Sequence, residues 1–285
     1  MFLPLVLADL VADEATDRCA ADRTVERNES LGYPETHFAS RSGKRAVSVP
    51  HTPRQNHLLA ALPQEDYERL LPDLEPVPLP VRWTVHSAGD RENYLYFLTA
   101  GIVSRFYATE NGALAEFAVR GNEGVIGVAS FLGGKSTPSQ AVVLSAGYAC
   151  RLRADLLRNE FEHVGPLAHL LLRYTQALIA QTGQIAACNR YHSIELQLCR
   201  WILSSLDRLP SNVLRMTQEL IANMLGVRRG GVAEAAGNLQ AAGLIHCSRG
   251  KITVLDRPKM EARVCECYAV VKREYVRLLP QITAS

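Results

Sequence analysis

The residues with the most specific chemistry lie between Thr217 and Lys251. Thr217 stands where a helix N-cap belongs, ahead of the run Gln218-Glu-Leu-Ile-Ala-Asn-Met-Leu225. Gly226 ends that run at a tight turn, which needs a residue tolerant of positive φ. A second helix is predicted from about Arg228 to Ala242. Two short helices joined so tightly suit the groove of a duplex, and the polar residues match that use. The guanidinium of Arg229 can approach guanine O6 and N7 as a fork, and Glu234 can accept from a cytosine amino group. Arg228 lies toward the backbone side, while Arg249 and Lys251 in a later turn suit phosphates. Thr217 and Gln218 open the first helix, where free amide N–H groups favour a phosphate oxygen.

The neighbours say what must hold these groups in place. Ala222 is small where two helices cross closely, and Val232 packs the second helix back on the first. Ile221, Leu225, Ala236 and Leu239 complete the shared core. The opposite face then shows Arg229, Gly230, Ala233, Glu234 and Gly237, a sparse reading surface. Gly230 and Gly231 each cost the helix roughly 1 kcal/mol relative to Ala, so its start is expected to be soft. After Gly243, Leu244–Cys247 and Ile252–Leu255 flank the turn Ser248-Arg-Gly-Lys251, a predicted hairpin wing.

Upstream, Ile194–Leu206 is predicted as an amphipathic helix closed by Pro210. Before it, Leu167, Leu171, Tyr174, Leu178, Gln181, Ile185 and Cys188 fall at spacings alternating between 4 and 3. That is an a/d seam about three heptads long. With polar Gln181 inside it, the seam is expected to be a parallel dimer interface, with Cys188 facing its symmetry mate as a reduced thiol. Downstream, Met260, Val264, Tyr268, Val271, Tyr275 and Leu278 predict one amphipathic helix. On such a helix the side chains of Cys265 and Cys267 diverge, so no metal site is expected there.

The rest of the 285 residues form the body. Asp13–Gln55 is rich in Arg, Glu, Ser, Thr and Pro without period, so 1–55 is expected to be a disordered N-terminal extension. His57–Leu71 reads as a helix. Short strand-like runs follow at Val81–Val85, Tyr94–Leu98, Ile102–Ala108, Ala115–Val119, Val125–Val128, Gln140–Leu144 and Ala149–Leu152, with turn signals between them. Such spacing predicts a small antiparallel β-roll or jelly roll. The fold class is therefore α+β. The domains expected are a β-roll over 56–164, a dimerisation helix over 165–191 and a winged helix over 192–285.

Composition narrows the function classes. Residues 192–285 hold 13 Lys and Arg against 8 Asp and Glu, a net of +5, while the whole chain is only +2. The polyanion-facing end is thus the C-terminal third. No stretch reads as a signal peptide or spanning helix, so a cytoplasmic protein without membrane contact is expected. The seven cysteines form no CxxC pair and are expected to be reduced. A metal-dependent β-barrel enzyme would need two or three His converging with a carboxylate, and between Val81 and Leu152 the only His is His86. A winged helix used only for protein contacts is the other alternative.

This order of parts resembles the Crp/Fnr family of bacterial transcription regulators over about Leu58–Leu255. The likeness rests on His86-Ser-Ala-Gly-Asp90, Tyr94-Leu-Tyr-Phe-Leu-Thr-Ala-Gly101, Glu123-Gly-Val-Ile-Gly127, the long helix and Thr217 to Gly226. It implies a homodimer on a two-fold symmetric operator, with RNA polymerase as a further partner and a sensor domain whose ligand changes how the recognition helices are presented. Members that bind cyclic AMP carry a Glu just after the Ile-Gly pair and then an Arg-Ser pair. Here Val128 follows Gly127, and Thr137-Pro-Ser-Gln-Ala141 contains no Arg. Without that cation the cyclic phosphate loses its charge partner, so no cyclic AMP is expected. Only Cys19 lies where iron–sulfur members need several N-terminal cysteines, so no cluster is expected. Heme on a lone axial His86 or His163 stays open. Many members follow the recognition-helix Arg with Glu. Gly230 follows Arg229 here, and a different operator is implied.

Overall fold

In a computed structural model, which describes residues 51–280 except 111 and 163, chain entry begins before the expected boundary. Residues 1–50 of the expected disordered extension lie outside the described residues, but 51–55 pack on the body. The His51 ring stacks on Tyr148 with centroids 3.8 Å apart, and Pro53–Gln55 forms a turn of 3-10 helix. Buried Asn56 then accepts from the N–H groups of Leu58 and Leu59, while its amide donates to the carbonyls of Leu98 and Gly124 at 2.9 Å each. The single helix expected over His57–Leu71 is two, α1 (His57–Ala60) and α2 (Gln64–Leu70). Pro63, which has no N–H to donate, separates them.

The β-roll comprises β1 (Glu75–Leu79), β2 (Thr84–His86), β3 (Tyr94–Ala108), β4 (Leu114–Arg120), β5 (Val125–Ile126) and β6 (Gln140–Arg153), with α3 (Ala129–Leu132) after β5. The ladder is antiparallel, in the order β1-β6-β3-β4, with β2 added to β6 and β5 to β3. Two pairs of expected strands have fused into the long β3 and β6. Their register shifts where Gly101, at φ +88°, comes close to Gly147. A Cβ on Gly147 would lie 2.0 Å from the Ala100 carbonyl oxygen, so only glycine allows this approach. Strand β1, with Pro76 and Pro78, was not legible in the sequence. It lies at the sheet edge, where missing N–H donors cost least.

Beyond the roll come α4 (Ala154–Glu162), α5 (Pro166–Tyr191) and α6 (Ile194–Leu206). The winged helix follows as β7 (Val213–Leu214), α7 (Gln218–Leu225), α8 (Arg229–Ala241), β8 (Ile245–Ser248) and β9 (Lys251–Val254), with β9 central in a three-stranded sheet. The helix expected from Met260 to Leu278 is broken into α9 (Arg257–Arg263) and α10 (Glu266–Leu278). Val264 and Cys265 are extended between them, although neither Pro nor Gly forces the break. Helix α10, assigned by sequence to the winged helix, packs mainly along α5.

The seam on α5 is used differently from the expectation. Leu167, Leu171, Tyr174, Leu178, Gln181, Ile185 and Cys188 are all buried within the single chain. Leu167, Leu171, Tyr174 and Leu178 share a core with Leu58, Leu59, Leu95 and Phe97. The Tyr174 hydroxyl bonds to the backbone of Val125, and Gln181 accepts from Arg120 at 2.7 Å and from the Tyr275 hydroxyl at 2.8 Å. Burying each large apolar side chain is worth about 1.5–3 kcal/mol, so turning this stripe to a second chain would forfeit a large internal gain. The seam is therefore a core stripe within the single chain. Cys188 correspondingly faces Cys265 of its own chain, at 3.7 Å between sulfurs.

The winged helix is docked on the roll. Ile102, Phe106, Leu114 and Val119 of the roll join one buried cluster with Trp201, Ile221, Met224 and Leu225. At its centre buried Glu116 accepts from the Trp201 indole at 2.8 Å and from the Ser104 hydroxyl. Burial pushes the Glu116 carboxyl above the usual carboxylate range, against the pull of those donors. Among the described residues no helix is long and apolar enough to cross a membrane.

Candidate nucleic-acid interface

The two helices of the reading element form for local reasons. Thr217 is extended and its hydroxyl accepts from the Leu220 N–H at 3.2 Å, satisfying one of the donors that a helix start leaves bare. Gly226 closes α7 in the left-handed region at φ +66°, and the Val227 N–H returns to the Ala222 carbonyl at 3.0 Å. Ile221, Ala222, Leu225, Val232, Ala236 and Leu239 are all buried, as their spacing predicts. Arg228 stands at the N-cap of α8, and Arg228, Arg229, Gly230, Ala233, Glu234 and Gly237 are exposed along one side of it.

Gly231 has a packing role. A Cβ there would come within 2.6 Å of the Ile194 side chain, so α8 crosses α6 closely at its first turn. Farther along, Glu195 of α6 accepts from Asn238 at 3.2 Å and from Arg263 at 2.7 Å, holding the far end of α8. These long-range ties leave no periodic mark in the sequence and were missed. So was Arg215, an exposed cation two residues before the Thr217 cap.

The wing turns at Arg249 and Gly250, both at positive φ, the backbone of a two-residue hairpin turn. Its tip reaches α7, since a Cβ on Gly250 would lie 3.8 Å from Thr217 Cγ2. The structure thus brings exposed Thr217, half-buried Gln218 and the exposed Arg249 and Lys251 to one end of the reading element. Gln240 fixes the wing to α8 by accepting from the Cys247 N–H at 2.9 Å. Arg229 lies 3.7 Å from Glu219, with the two side chains 70% and 61% exposed. So open an ion pair is held weakly in water and gives way readily to a phosphate or a base edge.

Inside the roll, charges meet each other. Glu92 accepts from the Ala129 N–H at 2.7 Å, at the start of α3. Its other oxygen lies 3.3 Å from His86 and 3.7 Å from Arg105, which also donates to Ser139 at 2.7 Å. All three side chains are buried. Burial raises the Glu92 carboxyl while Arg105 opposes the shift. Burial and then the Arg105 charge lower the His86 imidazole to about 4, so His86 is neutral at ordinary pH. His163, the other candidate heme ligand, lies outside the described residues, as does Cys19.

Residues 196–263 match the Crp-like helix-turn-helix domain family, and residues 79–163 match the cyclic nucleotide-binding domain family. The fold is similar to that of a Eubacterium rectale protein assigned to the Crp/Fnr family of transcriptional regulators, at 16% identity and TM-score 0.60 over 73% of this chain and 98% of that one. It is also similar to FixK2 of Bradyrhizobium japonicum, at 14% identity and TM-score 0.57 over 67% and 98%. The c-di-GMP-responsive global regulator CLP of Xanthomonas campestris matches at 18% and 0.55 over 68% and 100%. At these identities the likeness is one of fold. No curated protein matches the sequence.

Proposed function

We propose that this chain, which carries the two domains of the Crp/Fnr family of transcription regulators, is a homodimer that reads a two-fold symmetric operator without cyclic AMP. The observation that carries the reading is the exposed set Arg228, Arg229 and Glu234 on α8, flanked by Arg249 and Lys251 on a wing that touches Thr217. Arg229 and Glu234 meet base edges, and Arg228, Arg249, Lys251 and the amides behind Thr217 and Gln218 meet phosphates. RNA polymerase is the further partner such a regulator addresses.

The internal charge cluster supports a sensor that does not take cyclic AMP. The amide that starts α3 is already bound by the Glu92 carboxylate, and Arg105 is committed to Glu92 and Ser139. A cyclic phosphate entering there would meet the like charge of Glu92 beside an Arg105 already shared between Glu92 and Ser139.

Dimerisation falls to the outward side of α5. Leu172 and Ile179 are 48% and 68% exposed, and exposed Gly183 and Ala186 continue their line at helical spacing. The small residues allow a second helix to approach closely. Selection of bound duplexes from a random pool tests the reading. Two-fold symmetric sites are expected, unchanged by added cyclic AMP, and an Ile179→Glu chain sediments as a monomer. Failure to enrich any duplex would leave a protein-contact module instead.

A further inference from the structure

Four potential ligand atoms converge where α5 ends and α10 begins. Cys188 lies in the last turn of α5, and His192 is its C-cap four residues later. Cys265 is the extended N-cap of α10, and Cys267 is the second residue of that helix. The side chains of Cys265 and Cys267 do not diverge as i and i+2 residues of one helix would, because Cys265 has left the helix. The Cys188 and Cys265 sulfurs are 3.7 Å apart, Cys267 Sγ lies 3.4 Å from His192 Nδ1, and all four atoms fall within 4.8 Å of one another.

We infer that Cys188, His192, Cys265 and Cys267 form a structural zinc site that ties the end of α5 to the start of α10. Tetrahedral zinc, with Zn–S of about 2.3 Å and Zn–N of about 2.0–2.1 Å, places sulfurs about 3.8 Å apart and sulfur to nitrogen about 3.5 Å apart. The Cys188–Cys265 and Cys267–His192 separations match that geometry. A disulfide between Cys188 and Cys265 would need the sulfurs at about 2.05 Å and would leave Cys267 and His192 without a role. An iron–sulfur cluster spreads its ligands over several metal atoms, and four atoms this close surround one metal.

The surroundings match the chemistry of thiolate ligands. Arg200 Nε donates to Cys188 Sγ at 3.2 Å, and Gln184 Nε2 donates to Cys267 Sγ at 3.1 Å. Glu266 lies 3.4 Å from His192 Nε2, on the ring nitrogen away from Cys267. A carboxylate there fixes the tautomer that leaves Nδ1 free to bind metal. Three thiolates, a neutral imidazole and Zn²⁺ sum to one negative charge, which Arg200 offsets. Binding releases the remaining thiol protons to solvent.

Zinc here is independent of the DNA-binding reading, and its test needs no DNA. The full chain is purified under reducing conditions with zinc present, then analysed for metal. One zinc per chain is expected. Replacement by Co²⁺ is expected to give thiolate-to-cobalt charge transfer and the intense visible bands of tetrahedral cobalt. The double variant Cys265→Ser with Cys267→Ser is expected to lose the metal, while Cys247→Ser keeps it. The cobalt spectrum of the unaltered chain reports coordination even where the double variant fails to fold. Metal content well below one per chain with all thiols reduced would overturn the proposal. So would iron in place of zinc, a Cys188–Cys265 disulfide, or zinc retained by a folded double variant.

Discussion

The interior of the β-roll and the face of α8 use the same kinds of side chain in opposite ways. In the roll, Glu92, Arg105 and His86 are buried and turned on one another and on the start of α3. On the winged helix, Arg228, Arg229, Arg249, Lys251 and Glu234 stand in water, with one loose pair between Arg229 and Glu219. Charge that is buried and paired serves the fold, and losing one partner strands the other at high cost. Charge that is solvated costs little to present and is available to an external polyanion. Residue type alone does not separate the two uses; burial does.

The comparison breaks first at Arg105. Arg105→Ala leaves Glu92 buried without its cation and is expected to cost about 3–5 kcal/mol of unfolding free energy in denaturant titrations. The loss should shrink as pH falls, because Glu92 already holds its proton more readily than an ordinary carboxyl. A deficit that does not change with pH would mean that the pair is not ionised. Next in size is Arg229→Ala on a selected operator. About 1–3 kcal/mol of specific affinity should go, with relaxed preference at one base position and little change in folding stability. Full specificity in that variant would move the base reading elsewhere.

Glu116→Gln alters the shape of a pH profile. Its folded carboxyl is raised, so its stabilising contribution is complete below the ordinary carboxylate range and is lost as pH rises through the folded value. Thermal midpoints followed from about pH 5 to about pH 8 should fall less steeply in the variant. An unchanged slope would mean that Glu116 does not titrate at the junction. The smallest effect is expected from Lys251→Ala, which should weaken all duplexes alike and lower the salt slope by about 1. A sequence-dependent loss would promote Lys251 to a base reader.

What the sequence made legible was local. The Thr217 cap, the Gly226 turn and the buried set from Ile221 to Leu239 are each specified within a few residues. The α5 seam shows why the rest was harder. Its 3-4 spacing establishes an apolar stripe but says nothing about which chain covers it. Tyr174 and Gln181 bond to Val125, Arg120 and Tyr275, far away in sequence. Likewise, nothing in Val264-Cys265 announces the helix break that turns both cysteines toward Cys188. Pro63 was a clear local signal for the break between α1 and α2, and the helical periodicity around it hid it.

Ser104 and Arg105 are consecutive residues of β3 whose side chains leave opposite faces of the strand. Arg105 reaches inward to Glu92 and Ser139, while Ser104 reaches outward to Glu116 and to the sulfur of Met224 on α7. A single peptide unit therefore stands between the interior of the roll and the first helix of the winged-helix element. That unit is planar and stiff, so a rotation of the strand that disturbs one contact must disturb the other. The two compartments share one hinge pin rather than a chain of relays.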